Sequence, residues 1–120
     1  MPSEKLLLIV KDDSPASQLV EVYASTLPVA VEVLNLSEQQ VPEHIWSLIL
    51  EQYRLSDIFF EGNVWYQKYL YKERFSYATL QKALKANAQL LRHPIALLNK
   101  EVVICSAATD IFQFNMALGA

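Results

Sequence analysis

The chain has 120 residues, 52% of them hydrophobic, a formal net charge of -3 and only 2 glycines, which excludes a disordered or repetitive chain and predicts one folded domain with a real core. The mild acidity argues against phosphate-backbone binding, and the densest basic stretch, Lys68 to Arg74, is broken by Glu73 and aromatics, so no nucleic-acid partner is expected. No apolar run approaches the roughly 20 residues that span a bilayer, and the single cysteine, Cys105, suits a reducing, cytoplasmic setting without a membrane.

Leu6 to Val10 is a continuous apolar run, the pattern of a strand buried on both faces. It is too short for a signal-peptide core and runs straight into Lys11-Asp12-Asp13. Ser14 is a good N-cap and Pro15 a good first helical residue. Leu19, Val20, Tyr23 and Leu27 then recur at helical spacing until Pro28. Val29 to Leu36 alternates as a second strand, with Val29, Val31 and Val33 on one face. Residues 6–36 therefore predict a βαβ unit with a parallel strand pair.

Pro42 fits a helix start, and Ile45, Trp46, Ile49, Leu50 and Tyr53 form an apolar stripe. Ser56 is a candidate cap for a short helix through Phe59 and Phe60. Asn63 to Tyr71 is rich in aromatics without a clear period, and suits either a peptide-binding face or a cover over the core. Ser76 is another candidate cap, before an amphipathic helix marked by Leu80, Ala83, Leu84, Ala88 and Leu91. In HPIALLNKEVVICSAATDIFQF two apolar segments flank a polar turn at Asn99-Lys100, which predicts a β-hairpin. Thr109 is placed to cap a final helix holding Ile111, Phe114 and Leu118. The order is β-α-β, several helices, β-β-α. That is the layout of a thioredoxin-like α/β domain over residues 1–120, with a mixed sheet of about four strands and a helical insertion at about 42–91.

The phrase LQKALKANAQLLRHPIALLNKEVVICSAATDIFQF, residues 80–114, resembles the C-terminal half of the arsenate reductase family, which includes the Spx-type regulators. Leu91-Arg92-His93-Pro94-Ile95 stands at that family's Arg-Pro-Ile motif, and Val103-Ile104-Cys105 at the end of its hairpin. The resemblance implies a cis bond before Pro94 and an active site facing it. It also implies a reactive cysteine in the loop after the first strand, where a helix N-terminus lowers a thiol's pKa. Here that loop is Asp12 to Ser17 and holds no cysteine.

Ser14-Pro15-Ala16-Ser17 has the spacing of the glutaredoxin-type C-P-x-C motif, with hydroxyls in place of both thiols. Ser14 reads as a helix cap standing at a former thiol position, and no His–acid pair marks either serine as a nucleophile. The arginine that the family carries before the proline is His93 here, and Arg92 lies one position earlier, where strand alternation would turn it to the other face. Ser106 replaces a further family arginine, and Phe60-Glu61-Gly62-Asn63 stands near a family Leu-Arg-Lys-Asn stretch. Asp12 and Asp13 suit the helix terminus but repel an oxyanion.

Cys105 has two readings: a small buried hydrophobe, or a thiol near Pro94 able to form a mixed disulfide. His93 lines the expected groove or serves structure alone; His44 is a surface residue, and no metal-ligand spacing exists. The expectation is a catalytically silent module, without cofactor or metal, that binds a protein or peptide over a groove formed by Asp13, Ser14, Pro15, Arg92, His93 and Pro94. The alternatives are a thiol-disulfide or glutathione-linked oxidoreductase acting through Cys105, and an Spx-like transcriptional partner.

Overall fold

The computed structural model describes residues 5–11, 15–60, 76–86 and 90–115. Strands β1 (Lys5–Val10), β2 (Ala30–Asn35), β3 (Ile95–Leu98) and β4 (Glu101–Ile104) form one mixed sheet in the order β2-β1-β3-β4. β1 runs parallel to β2 and antiparallel to β3, and β3 is antiparallel to β4. Helix α1 (Pro15–Ala24) links β1 to β2. Helices α2 (Glu43–Gln52), α3 (Leu55–Ile58) and α4 (Tyr77–Ala86) lie between β2 and β3 in sequence, and a 3-10 helix (Ala108–Asn115) comes after β4.

Alternation along the strands divides the core in two. Leu6, Leu8 and Val10 of β1, Ala96 and Leu98 of β3, and Val103 and Cys105 at β4 face α1 and the 3-10 helix, meeting Val20, Ala24, Ile111 and Phe114. Ile9, Ile95, Leu97 and Val102 face the other way, against Trp46, Ile49, Ile58, Leu80 and Leu84 of the inserted helices. A strand covered on both sides needs an unbroken apolar run, which is why LLLIV is the innermost sequence of the molecule.

Local chemistry sets the boundaries. Pro15 is the first residue of α1, where a missing N–H has no consequence. The Ser25 and Thr26 hydroxyls donate to the Val22 and Tyr23 carbonyls where that helix ends. After β2, Asn35 organises the turn: its Oδ1 accepts from Ser37 and its C=O accepts from the N–H groups of Glu38 and Gln39. Asn99, at the hairpin turn, has φ 55, a left-handed conformation that asparagine adopts more readily than most residues.

Several expectations are corrected. Ser56 lies inside α3; the N-cap is Arg54, whose N–H donates to the Asp57 carboxylate at 3.2 Å. Asp110 does the same at the 3-10 helix, accepting the Ala107 N–H at 2.9 Å, so Thr109 is not the cap. In both cases a carboxylate three residues into the turn reaches back to the first free N–H. Leu91 belongs to an isolated bridge with Phe59, not to α4, whose described extent ends at Ala86. Ser76 does cap α4, accepting the Thr79 N–H. Leu19 and Val33 are exposed, while Ser17 takes the buried place on α1. The predicted elements at Asn63 to Tyr71, and the positions of Ala88 and Leu118, lie outside the described residues. Among the described residues no helix is long and apolar enough to cross a membrane.

Candidate functional site

Beyond the carboxyl end of β1, the segment leading into β3 and the end of β4 come together. Arg92 and His93 precede β3 and do not belong to it, so strand alternation does not separate them. Both line one open cavity of about 380 Å³, together with Tyr53, Asp57, Ile104 and Ser106. The expectation that Arg92 points away from His93 is thereby overturned. The Arg92 N–H donates to the Ile58 carbonyl at 2.9 Å, and the Phe60 N–H to the Leu90 carbonyl at 2.9 Å, a pair of bonds that ties the approach to β3 onto the end of α3.

Phe60 stands beside this cavity with 41% of its surface exposed. The Lys11 ammonium and the Arg92 guanidinium both lie 5.5 Å from its ring centroid. Exposed cation–π contacts of this kind contribute about 0.5–1 kcal/mol each. Here they hold two long side chains near one aromatic surface.

His93 is half-buried. Burial lowers its pKa below the ordinary 6.5, Arg92 and Lys11 push the same way, and Asp110 opposes them. The imidazole is therefore neutral at neutral pH, able to donate from one nitrogen and accept at the other. Asp110 is held below the usual carboxylate range, first by the Ala107 N–H and also by the Ser106 hydroxyl. Asp57 and Asp110 thus spend their charge on caps at the rim of the site.

Pro94 is buried, and its C=O accepts the Cys105 N–H at 2.8 Å. No peptide bond among the described residues is cis, so the His93–Pro94 bond is trans where the resemblance implied cis. Cys105 is close to Pro94 along the backbone, yet alternation sends Ile104 to the cavity and Cys105 to the opposite core. Only 3% of Cys105 is exposed, and burial pushes its thiol up to about 12, with Asp110 adding to the shift. That is the reverse of a reactive thiol, which needs an electropositive, partly exposed setting.

Pro15 is exposed at the start of α1, while Ser17 is 1% exposed inside the fold and cannot line a groove. Asp13 and Ser14 lie outside the described residues. The structure therefore brings Arg92, His93 and Ser106 together and removes Ser17, Pro94 and Cys105 from the accessible surface. Sequence reasoning missed Lys11, Tyr53, Asp57 and Asp110. The two aspartates had a legible signal, an acid at the third position of a short helix. Among the described residues no group of three His, Cys, Asp or Glu side chains could hold a metal ion.

No protein-family model matches the chain, and no curated protein matches it in sequence. Its structure is similar to an arsenate reductase from Vibrio cholerae, with TM-score 0.69 and 12% identity over 92% of this chain and 98% of that one. It is also similar to the YFFB protein, with TM-score 0.64 and 10% identity over 94% and 98% of the two chains. A third similar structure is an arsenate reductase (ArsC) related protein from Brucella melitensis, with TM-score 0.56 and 5% identity over 92% and 94%. At these identities the likeness shows the fold, a thioredoxin-like α/β architecture.

Proposed function

We propose that this protein is a catalytically silent member of the arsenate-reductase-like group of thioredoxin folds, and that it binds a protein or peptide non-covalently at the cavity lined by Arg92 and His93. The observation that carries the reading is the separation of the thiol from the cavity. Cys105 lies in the core on the other side of its strand, raised to about 12, while the cavity offers a guanidinium, a neutral imidazole and a hydroxyl beside the exposed ring of Phe60. Such groups recognise a chain by hydrogen bonds and aromatic contact, and none of them is an activated nucleophile. The loop Asp12 to Ser17 adds no cysteine.

The test is affinity capture from source-cell lysate, with and without reductant, using wild type, Cys105→Ser and Arg92→Ala/His93→Ala proteins. A partner retained under both redox conditions and by Cys105→Ser, and lost with the double alanine variant, is the expected result. A partner captured only without reductant and lost in Cys105→Ser would establish mixed-disulfide chemistry instead. Arsenate reduction clearly above a protein-free blank would end the claim of silence.

A further inference from the structure

We propose that the outer edge of β2 is a second docking site, independent of the cavity, which takes an extended segment of another protein carrying a basic residue between two apolar ones. β2 is the terminal strand of the sheet. Leu36 donates its N–H inward to the Val10 carbonyl at 2.8 Å. Backbone groups alternate in direction along a strand, so Leu34 and Glu32 also face β1, and the N–H and C=O of Val31 and Val33 face outward. Among the described residues nothing hydrogen-bonds to those outward groups. The edge lacks three of the usual protections: Ala30–Asn35 contains no proline and no lysine, and its register with β1 is unbroken by a bulge, so Glu32 is its one charged side chain. Four backbone groups in a row recognise another extended backbone, the mode of strand addition.

The side chains narrow the partner. Val33, 38% exposed, and the half-buried Val31 offer apolar contact on one face of the added strand. Glu32 offers a carboxylate on the other. Its link to Lys5 is long, 3.9 Å, with both side chains more than half exposed, which leaves Glu32 open to a second cation. A second copy of this chain fits poorly. Two-fold antiparallel pairing of Val31 with Val33 sets Glu32 directly opposite Glu32 of the other copy, where like charges are destabilising, and centring on Val31 sets Val33 opposite Val29, whose N–H already donates to the Leu27 carbonyl. Centring the pair on Val33 instead places Val31 opposite Asn35, whose C=O already accepts two turn N–H groups. A foreign strand with a lysine or arginine opposite Glu32 meets none of these obstacles.

The probes are two blocked heptapeptides, Ser-Thr-Val-Lys-Val-Thr-Ser and the same sequence with Glu for Lys, added to the full-length protein. Amide shifts and hydrogen exchange are read residue by residue. The basic peptide is expected to shift and protect the Val31 and Val33 amides, with about two- to fivefold tighter binding than the acidic one, the size of an exposed cross-strand charge pair. Val33→Pro removes an outward N–H at an edge position where proline is tolerated, and is expected to abolish the protection. Glu32→Lys, an exposed substitution that leaves the core untouched, is expected to reverse the peptide preference. Equal binding of both peptides, unchanged protection in Val33→Pro, or no shift with either peptide would overturn the proposal. So would a concentration-dependent dimer that Val33→Pro dissolves, since the edge would then belong to a second copy.

Discussion

At the β4 edge of the sheet the Tyr53 hydroxyl donates to the Val102 carbonyl at 2.9 Å and Gln52 Nε2 to the Lys100 carbonyl at 2.8 Å, whereas at the β2 edge the outward groups of Val31 and Val33 meet no described partner. Both strands are short and similarly apolar. The difference lies in the segments that pack beside each strand. β2 leads into a polar turn built on Asn35, while the end of α2 crosses beside β4 and brings two side-chain donors to it. At the β4 edge a side chain delivered from the end of α2 occupies an outward carbonyl, and that edge is the one beside the cavity. Tyr53 serves both, capping Val102 and lining the space next to His93.

The largest way to break this contrast is to loosen α2. Trp46 is fully buried and packs against Phe59 with ring centroids 5.7 Å apart, and its Nε1 has no hydrogen-bond partner among the described residues. Trp46→Ala is expected to lose about 3–5 kcal/mol of stability in denaturant titration. Hydrogen exchange should then quicken at β4, while the β2 edge, already open, changes least. A smaller effect is expected from Tyr53→Phe, which deletes one partly buried hydrogen bond and should lose about 1 kcal/mol with the fold intact. If Tyr53→Phe is silent in both stability and β4 exchange, the closure attributed to α2 is wrong.

The smallest expected effect is a pH dependence. His93 has a folded pKa below its ordinary 6.5, so the unfolded chain binds the proton more readily. Stability therefore falls as pH drops from about 6.5 toward the folded value, and that loss should be absent in His93→Asn. Asp110 works in a lower window with the same sign: its depressed pKa adds stability that is fully present above the ordinary 3.8 and is lost as pH falls through the folded value. Equal pH profiles for wild type and His93→Asn between pH 5 and 7 would show that the cavity does not hold His93 as described.

Much of the fold was legible because each central element has one dominant local signal. LLLIV has the pattern of a doubly covered strand, Pro15 and Pro28 bracket a helix region, and Asn99-Lys100 between two apolar runs marks a hairpin. The site was less legible. Arg92 and His93 were separated by an alternation rule that holds inside strands and fails two residues before one. Cys105 lay in an apolar run that leaves open which side of the strand the thiol takes. The partners of Phe60 come from residues 11 and 92, a juxtaposition that no local pattern contains.

The sequence by itself determined the order of the elements, the covered central strand, the absence of a cysteine from Asp12 to Ser17 and the capping of α4 by Ser76, because backbone propensity and period act within a few residues. The tertiary structure alone decided which face received Cys105, which edge of the sheet received a side-chain donor from α2 and which cations met at Phe60. Those outcomes depend on how distant segments share the space around one sheet, and burial and hydrogen bonding are settled only once those segments have packed.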